Sequence, residues 1–240
     1  MEFVSIKDRI AKEFMAAEAI KRLRTNVIFS GADVKTVGLT SCYESDGKST
    51  ISFNLAASLA QTGRHVVLLD TDLRRSVLMR NAVHNSHIYG LGHYLSGIKP
   101  VDNIIYGTDV PDFDIIFAGA RVPNPAELLG SNRFSSLVKA LRDSYDYIIV
   151  DTPPLGRVVD CAVMLPLLDG ILMVINAERN RYKVAQNIKA QIEQANGKII
   201  GVVLNKVNFE DKRSYYGDYG GKYGKYGDKY GYGYGYGYYK

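Results

Sequence analysis

Apolar residues in this chain fall into short continuous runs that alternate with longer segments of helical periodicity. Runs typical of buried strands lie at residues 36–40, 65–70, 112–119, 145–151, 171–175 and 199–205. Apolar positions that recur every three or four residues predict helices at 8–29, 51–59 and 182–195. Because strands and helices alternate, we expect an α/β fold with a mainly parallel sheet and helices on both faces.

Glycine and proline add detail to this pattern. Residues 90–97 lie between glycines and predict a short helix, and Pro125 predicts the start of a helix that runs through Phe134 and Leu141. Gly63 predicts a left-handed C-terminal cap for the helix at 51–59. The middle of the chain, from residue 76 to 111, otherwise carries little periodic signal.

A candidate phosphate loop joins the first buried strand to the helix at 51–59. Residues 40–50 read T-S-C-Y-E-S-D-G-K-S-T, in which Gly47, Lys48 and Ser49 fit the pattern G-x-x-x-x-G-K-[ST] while Cys42 replaces its first glycine. Backbone N–H groups and the positive end of the helix would bind phosphate there, and Lys48 would reach the β- and γ-phosphates. The sequence thus predicts a P-loop NTPase-like fold, with nucleotide bound by Ser45, Asp46, Gly47, Lys48, Ser49 and Thr50.

Three aspartates follow predicted strands and are candidates for metal binding or catalysis. Asp70 and Asp72 follow one buried strand, and Asp151 ends another immediately before two prolines. Ligands bind at the carboxyl ends of parallel strands, so these carboxylates and the Ser49 hydroxyl are predicted to hold Mg²⁺. A single aspartate in such a place could instead cap a helix.

Asn205 ends the last predicted strand. An amide at that edge of the sheet can hydrogen-bond the edge of a nucleotide base, and a loop-capping role is equally compatible with the sequence.

Composition separates the body of the chain from its C-terminal tail. The tail from Lys212 holds six Lys or Arg and two Asp, which leaves a net +1 for the body out of the total +5. We therefore expect no nucleic-acid partner. The sequence contains no apolar run of 18 residues and no secretory signal pattern, which predicts a cytoplasmic chain. Two cysteines are too few for a disulfide framework.

Tyrosine and glycine dominate that tail. Without Leu, Ile, Val or Phe to bury, it is predicted to be disordered, so the expected domains are 1–211 and a tail at 212–240. Its candidate phosphate acceptors are Tyr215, Tyr216, Tyr219, Tyr223, Tyr226, Tyr230, Tyr232, Tyr234, Tyr236, Tyr238 and Tyr239.

Taken together, these motifs resemble the bacterial tyrosine kinases, or BY-kinases, of capsule and exopolysaccharide synthesis. The resemblance rests on the loop at 41–50, the acidic motif L-L-D-T-D-L-R at 68–74, the strand ending D-T-P-P at 151–154, the segment P-N-P-A-E-L-L at 123–129 and the tyrosine cluster. It implies an ATP- and Mg²⁺-dependent protein-tyrosine kinase that autophosphorylates its tail in trans. Lys48, Asp70 and Asp72 would be the catalytic residues, and the division of roles between the two aspartates is open.

The resemblance also implies partners. It places this chain with the split type, in which a separate membrane protein anchors and activates a kinase at the inner face of the membrane. The family assembles into rings through E-x-x-R-x-x-R in its N-terminal helix, where this chain has Glu18, Lys21 and Arg24. Lysine lacks the planar fork of arginine, which weakens the inference of a ring. Downstream substrates would be other tyrosine-containing proteins.

The alternative is a nucleotide-dependent positioning or scaffold ATPase of the partitioning type. That group resembles this chain in the loop and in the strand ending at Asp151, but it usually carries an extra lysine five residues before the loop lysine. Tyr43 stands there in this sequence, and it favours the kinase.

Overall fold

The structure is a computed structural model, and it describes residues 2–6, 10, 13–78, 88–155 and 159–207. The chain divides into two units, Met1–Lys206 and Val207–Lys240. The predicted tail and its eleven tyrosines lie outside the described residues.

Within the described ranges, eight strands form one sheet in the order β1-β4-β5-β3-β6-β2-β7-β8. The strands are β1 (Glu2–Val4), β2 (Thr36–Ser41), β3 (Val66–Asp70), β4 (Ile105–Thr108), β5 (Phe113–Ile116), β6 (Tyr147–Asp151), β7 (Gly170–Asn176) and β8 (Ile199–Asn205). Neighbours pair in parallel except β4 and β5, which are joined by a short turn and are antiparallel. The prediction of a mainly parallel sheet is confirmed.

The helices of the described chain cover both faces of this sheet. They are α1 (Phe14–Ile28), α2 (Lys48–Ala60), α3 (Leu91–Leu95), α4 (Pro125–Leu129), α5 (Asn132–Ser144) and α6 (Tyr182–Gln194), with 3₁₀ segments at Val101–Asn103 and Val159–Leu167. One hydrophobic core holds residues of α1 and α2, and the other holds residues of α3, α5 and α6. Since β2, β3 and β6 are buried along their whole length, their continuous apolar runs are explained by burial on both faces.

Two helix predictions need correction. The helix predicted over 8–29 begins at Phe14, because the backbone of Glu13 is extended (φ −69°, ψ 127°); residues 8, 9, 11 and 12 of the predicted helix lie outside the described residues. The single helix predicted from Pro125 through Leu141 is two helices. Ser131 interrupts it and caps α5 by accepting a hydrogen bond from Phe134 N at 3.3 Å.

The strand order positions the site. β3, β6 and β2 are neighbours at the centre of the sheet, and all three run in the same direction. Their carboxyl ends therefore bring Asp70, Asp151 and the loop after β2 to one edge. Asp70 and Asp151 are register partners across β3 and β6.

Candidate active site

The candidate phosphate loop runs from the end of β2 to the start of α2. Gly47 is the N-cap of α2 and has a φ of 96°, and a Cβ there would lie 2.0 Å from the side-chain nitrogen of Asn205. Both the left-handed conformation and the close contact therefore require glycine. Lys48, Ser49 and Thr50 form the first turn of the helix, whose positive end favours an anion.

The acidic residues of the loop have separate functions. Glu44 is exposed, and one of its side-chain oxygens lies 3.4 Å from Arg75. Asp46 is fully buried and accepts a hydrogen bond from Tyr43 N at 2.8 Å, so it braces the loop from within. The Glu44 carboxylate thus forms an ion pair at the outer side of the loop, while Asp46 is part of its internal structure.

Cys42, which replaces the first glycine of the motif, is buried in the core beneath the loop. Burial and the nearby Asp46 raise the pKa of its thiol to about 11. The thiol is therefore protonated at neutral pH, and it serves as a small apolar side chain.

Lys48 and Asp151 form the buried ion pair of the site. Lys48 Nζ lies 2.8 Å from Asp151 Oδ1, and the Ser52 hydroxyl donates to the same oxygen at 3.0 Å. Burial lowers the pKa of Lys48, but the carboxylates of Asp151, Asp72 and Asp70 outweigh it and raise that pKa above its usual value. Lys48 thus remains an ammonium although its side chain is buried, with only 7% of the residue exposed.

Asp70 lies beside this pair and is fully buried. Its two oxygens accept hydrogen bonds from the Ser76 hydroxyl and from Asp72 N, the latter at 3.1 Å. Burial and the neighbouring Asp151 raise the pKa of Asp70 to about 7, against the lowering effects of Ser76, Lys48 and the Asp72 amide. Two carboxylates and one ammonium leave an excess of negative charge here when both aspartates are ionised.

Asp72 and Ser49 lie at the border of this cluster. Asp72 is half-buried and accepts a hydrogen bond from Arg75 N at 2.9 Å. Ser49 Oγ lies 3.3 Å from Lys48 Nζ, which places the hydroxyl beside the ion pair. Thr50 is exposed, and its carbonyl accepts from Asn54 at 2.8 Å.

The donor set fits Mg²⁺. Carboxylate and hydroxyl oxygens are the ligands that this ion prefers, and the paired aspartates supply uncompensated negative charge. Among the described residues, no three His, Cys, Asp or Glu side chains already form a metal cage. Magnesium commonly takes one or two carboxylates and fills its remaining positions with water and substrate phosphates, so two suffice.

Asn205 contacts the loop directly. Its side-chain nitrogen donates to the Asp46 carbonyl at 2.8 Å, as in the loop-capping interpretation of this residue. Binding of a base by the same side chain stays a prediction.

The predicted oligomerisation residues lie on α1, away from this cluster of side chains. Lys21 pairs with Glu18 at 2.7 Å, and Arg24 donates to the Ser58 carbonyl of α2 at 3.1 Å. These contacts lie within one chain, and assembly through these residues also stays a prediction.

Four residues of this region were not found by sequence reasoning: Ser52, Ser76, Arg179 and Lys206. Ser52 was detectable, because it lies one helical turn after Lys48 and faces the same way. Lys206 directly follows the last predicted strand, but the contacts of Lys206, Ser76 and Arg179 depend on the order of the strands and the path of loops, which the sequence does not show locally.

Comparisons with known proteins agree with this fold. A family model described as an AAA domain matches residues 44–201. A protein named tyrosine-protein kinase CpsD from Streptococcus agalactiae is 41% identical over 220 residues, which cover 92% of this chain and 94% of that protein. The kinase domain of Escherichia coli tyrosine kinase ETK has a TM-score of 0.76 at 32% identity, covering 93% of this chain and 80% of that structure.

The septum site-determining protein MinD of Pyrococcus horikoshii has a TM-score of 0.58 at 22% identity, covering 71% of this chain and 69% of that structure. This likeness shows the fold alone. Together with the kinase-domain structure and the family model, the fold defines the class: a mainly parallel α/β protein of the P-loop NTPase-like type. Within this class, the chain belongs to the bacterial tyrosine kinase family and is a protein-tyrosine kinase.

Proposed function

We propose that this kinase transfers the γ-phosphoryl group of ATP to tyrosines in the C-terminal tail of a neighbouring copy. The observation that carries the proposal is the Lys48–Asp151 ion pair of 2.8 Å, which lies beside Asp70 at the N-terminus of α2. The arrangement combines a charged donor for phosphate, oxygens for a metal ion and a carboxylate able to accept a proton.

Lys48 and the first turn of α2 would bind the phosphates. Lys48 is already ammonium, and its bond to Asp151 keeps it close to the loop. The N–H groups at the start of α2 add further positive potential, so the loop can neutralise charge that develops on the leaving phosphate.

Ser49 and Asp151 would hold Mg²⁺, with Asp72 and Asp70 nearby. When bound, this ion would neutralise negative charge on the phosphates. The described residues would orient the phosphoryl group in line with the acceptor, which is the main requirement of this reaction.

Asp70 is the candidate for orienting the tyrosine hydroxyl and accepting its proton. The tyrosine oxygen forms a bond to the γ-phosphorus, the bond from that phosphorus to the bridging oxygen breaks, and ADP leaves. Ser76 and the Asp72 amide fix the Asp70 carboxylate in one orientation, which supports this role.

The basic, tyrosine-rich tail supports the choice of acceptor. Eleven tyrosines lie within residues 215–239, among six Lys or Arg and two Asp between Lys212 and Lys240. Transfer in trans fits a tail of 29 residues in which glycines are interspersed among the tyrosines.

The names of two relatives support a proposal for the biological setting. One is named for the cps region of Klebsiella pneumoniae and another CapB of Staphylococcus aureus. We infer that the kinase regulates capsule or exopolysaccharide synthesis and export.

We further infer that the kinase acts at the inner face of the membrane through a separate adaptor and self-associates through α1. Among the described residues, no helix is long and apolar enough to cross a bilayer.

A mixing experiment tests transfer in trans. The enzyme is a full-length variant with the eleven tail tyrosines changed to Phe, and the acceptor is full-length Lys48→Met. With ATP, Mg²⁺ and the membrane adaptor present, we expect phosphotyrosine on the Lys48→Met chain only when both proteins are mixed. Absence of phosphotyrosine from this mixture, when wild type alone becomes phosphorylated, would contradict transfer between copies.

A further inference from the structure

Four consecutive carbonyl groups of the phosphate loop accept hydrogen bonds from side chains. The Tyr43 carbonyl accepts from Ser41 at 2.8 Å, and the Glu44 carbonyl accepts from Arg179 at 3.2 Å. The next two carbonyls are bonded from the end of β8: Asn205 donates to Asp46 at 2.8 Å, and Lys206 Nζ donates to Ser45 at 2.9 Å.

These bonds fix the direction of the loop amides. In a planar trans peptide the C=O of one residue and the N–H of the next point in opposite directions. Because Lys206 and Asn205 hold the carbonyls of Ser45 and Asp46, the N–H groups of Asp46 and Gly47 point away from β8. Backbone N–H groups in this part of a phosphate loop are the ones that bind phosphate oxygens.

The Ser45–Lys206 contact also joins two strained positions. Ser45 has a φ of 65° and Lys206 a φ of 55°, and both are residues that rarely adopt left-handed backbone. Such conformations persist where surrounding contacts hold them, and they are common at functional sites. The charged bond from Lys206 is such a contact, and it holds the loop backbone from a residue that directly follows β8 and is distant in sequence.

We propose that Lys206 is a positioning residue for nucleotide binding, which holds the Ser45 carbonyl so that the loop amides face the phosphates. The inference rests on the proposed function, because it assigns Lys206 to the same phosphate site. Lys206 is exposed, so its side chain is not part of either hydrophobic core.

Calorimetric titration with ADP and Mg²⁺ tests this role in the full chain. We expect Lys206→Met to weaken ADP binding about tenfold, which corresponds to the loss of one charge-assisted hydrogen bond. Lys206→Arg, which retains a cationic donor, should bind within about twofold of wild type. The control is Lys198→Met, an exposed lysine just before β8, and it should bind ADP as wild type does.

The thermal midpoint of each nucleotide-free variant should match wild type, which separates positioning from unfolding. Wild-type affinity in Lys206→Met, or an equal loss in Lys206→Arg, overturns the inference. If wild type itself binds no ADP, the proposed function fails as well. If wild type binds ADP and Lys206→Met is unchanged, only the role of Lys206 fails.

Discussion

At the scale of single residues, both the backbone conformation of the loop and the packing around it require glycine at position 47. Its φ of 96° is unfavourable for any residue with a Cβ, and the space a Cβ would occupy is taken by the Asn205 amide. Gly63 also has a positive φ, of 75°, but no atom lies within 4 Å of the position its Cβ would take. A substitution at Gly63 therefore introduces backbone strain alone, whereas one at Gly47 introduces both backbone strain and a steric clash.

We predict that Gly47→Ala lowers ADP affinity at least tenfold, because the methyl group displaces Asn205 and distorts the loop. Gly63→Ala is the matched control: it should lose about 1 kcal/mol of stability and bind ADP normally. Calorimetric titration and chemical denaturation measure the two effects. Equal ADP affinities of Gly47→Ala and Gly63→Ala would show that the contact with Asn205 is unimportant.

Asp70 illustrates the energetic cost of the site. Its pKa is raised to about 7 from an ordinary value near 4, so folding favours its protonated form. The stability associated with this group is fully present below pH 4 and is lost as pH rises to 7, since the folded state binds the extra proton in that range.

We predict that Asp70→Asn is more stable than wild type by about 1 to 3 kcal/mol at pH 8, without nucleotide or Mg²⁺. The same variant should lose kinase activity. The gain in stability should shrink as pH falls below 7, which denaturation at several pH values will measure. A variant that is less stable than wild type at pH 8 would argue that the ionised carboxylate stabilises the fold.

At the scale of elements, Asp169 connects β7, β2 and α5 at the amino-terminal ends of the two strands. Its carboxylate, just before β7, accepts hydrogen bonds from Lys35 N at 2.9 Å and Thr36 N at 2.7 Å at the start of β2, and from Arg142 of α5. Burial raises the pKa of Asp169, but the bonds from Thr36, Arg142 and Lys35 outweigh it and hold the pKa below its usual range.

We predict that Asp169→Asn destabilises the fold by about 1 to 2 kcal/mol at pH 7. Because the pKa of Asp169 is lowered in the folded state, the stability that its carboxylate contributes is present above pH 4. This contribution disappears as pH falls through the lowered pKa. Urea denaturation from pH 7 down to pH 3 should show the difference from wild type shrinking. The exposed Asp143→Asn on α5 is the control and should change stability by less than about 0.5 kcal/mol. A difference that is constant with pH would contradict the ionic origin of this contribution.

The buried strands and the helices with clear periodicity are the elements that the sequence predicts most accurately. The predicted bounds 199–205 match β8, and the helix predicted at 182–195 extends one residue past α6. The edge strand β1 and its neighbour β4 are only three and four residues long, so they carry too few positions for a pattern. The break at Ser131 depends on a cap that continuous apolar spacing conceals.

At the scale of the whole molecule, the order of strands determines which side chains meet. Sequence motifs were sufficient to nominate Lys48, Asp70 and Asp151, since each lies in the loop or ends a buried strand. The sequence also places Lys206 directly after a predicted strand, but it does not show that the side chains of Lys206 and Arg179 bond to the phosphate loop. They reach the loop because β7 lies beside β2 and β8 lies beside β7 at the edge of the sheet, an order that no local pattern encodes.

We propose that the cluster around Lys48 catalyses transfer of phosphate from ATP to tyrosine. The most direct test is an anti-phosphotyrosine blot of wild type, Lys48→Met and the control Lys139→Met, an exposed lysine on α5. Each full-length chain is incubated with ATP, Mg²⁺ and the membrane adaptor, and circular dichroism verifies that each is folded. We expect tail phosphotyrosine on wild type and Lys139→Met and at least a hundredfold less on Lys48→Met. A folded Lys48→Met chain that carries as much tail phosphotyrosine as wild type would contradict a catalytic role for this cluster.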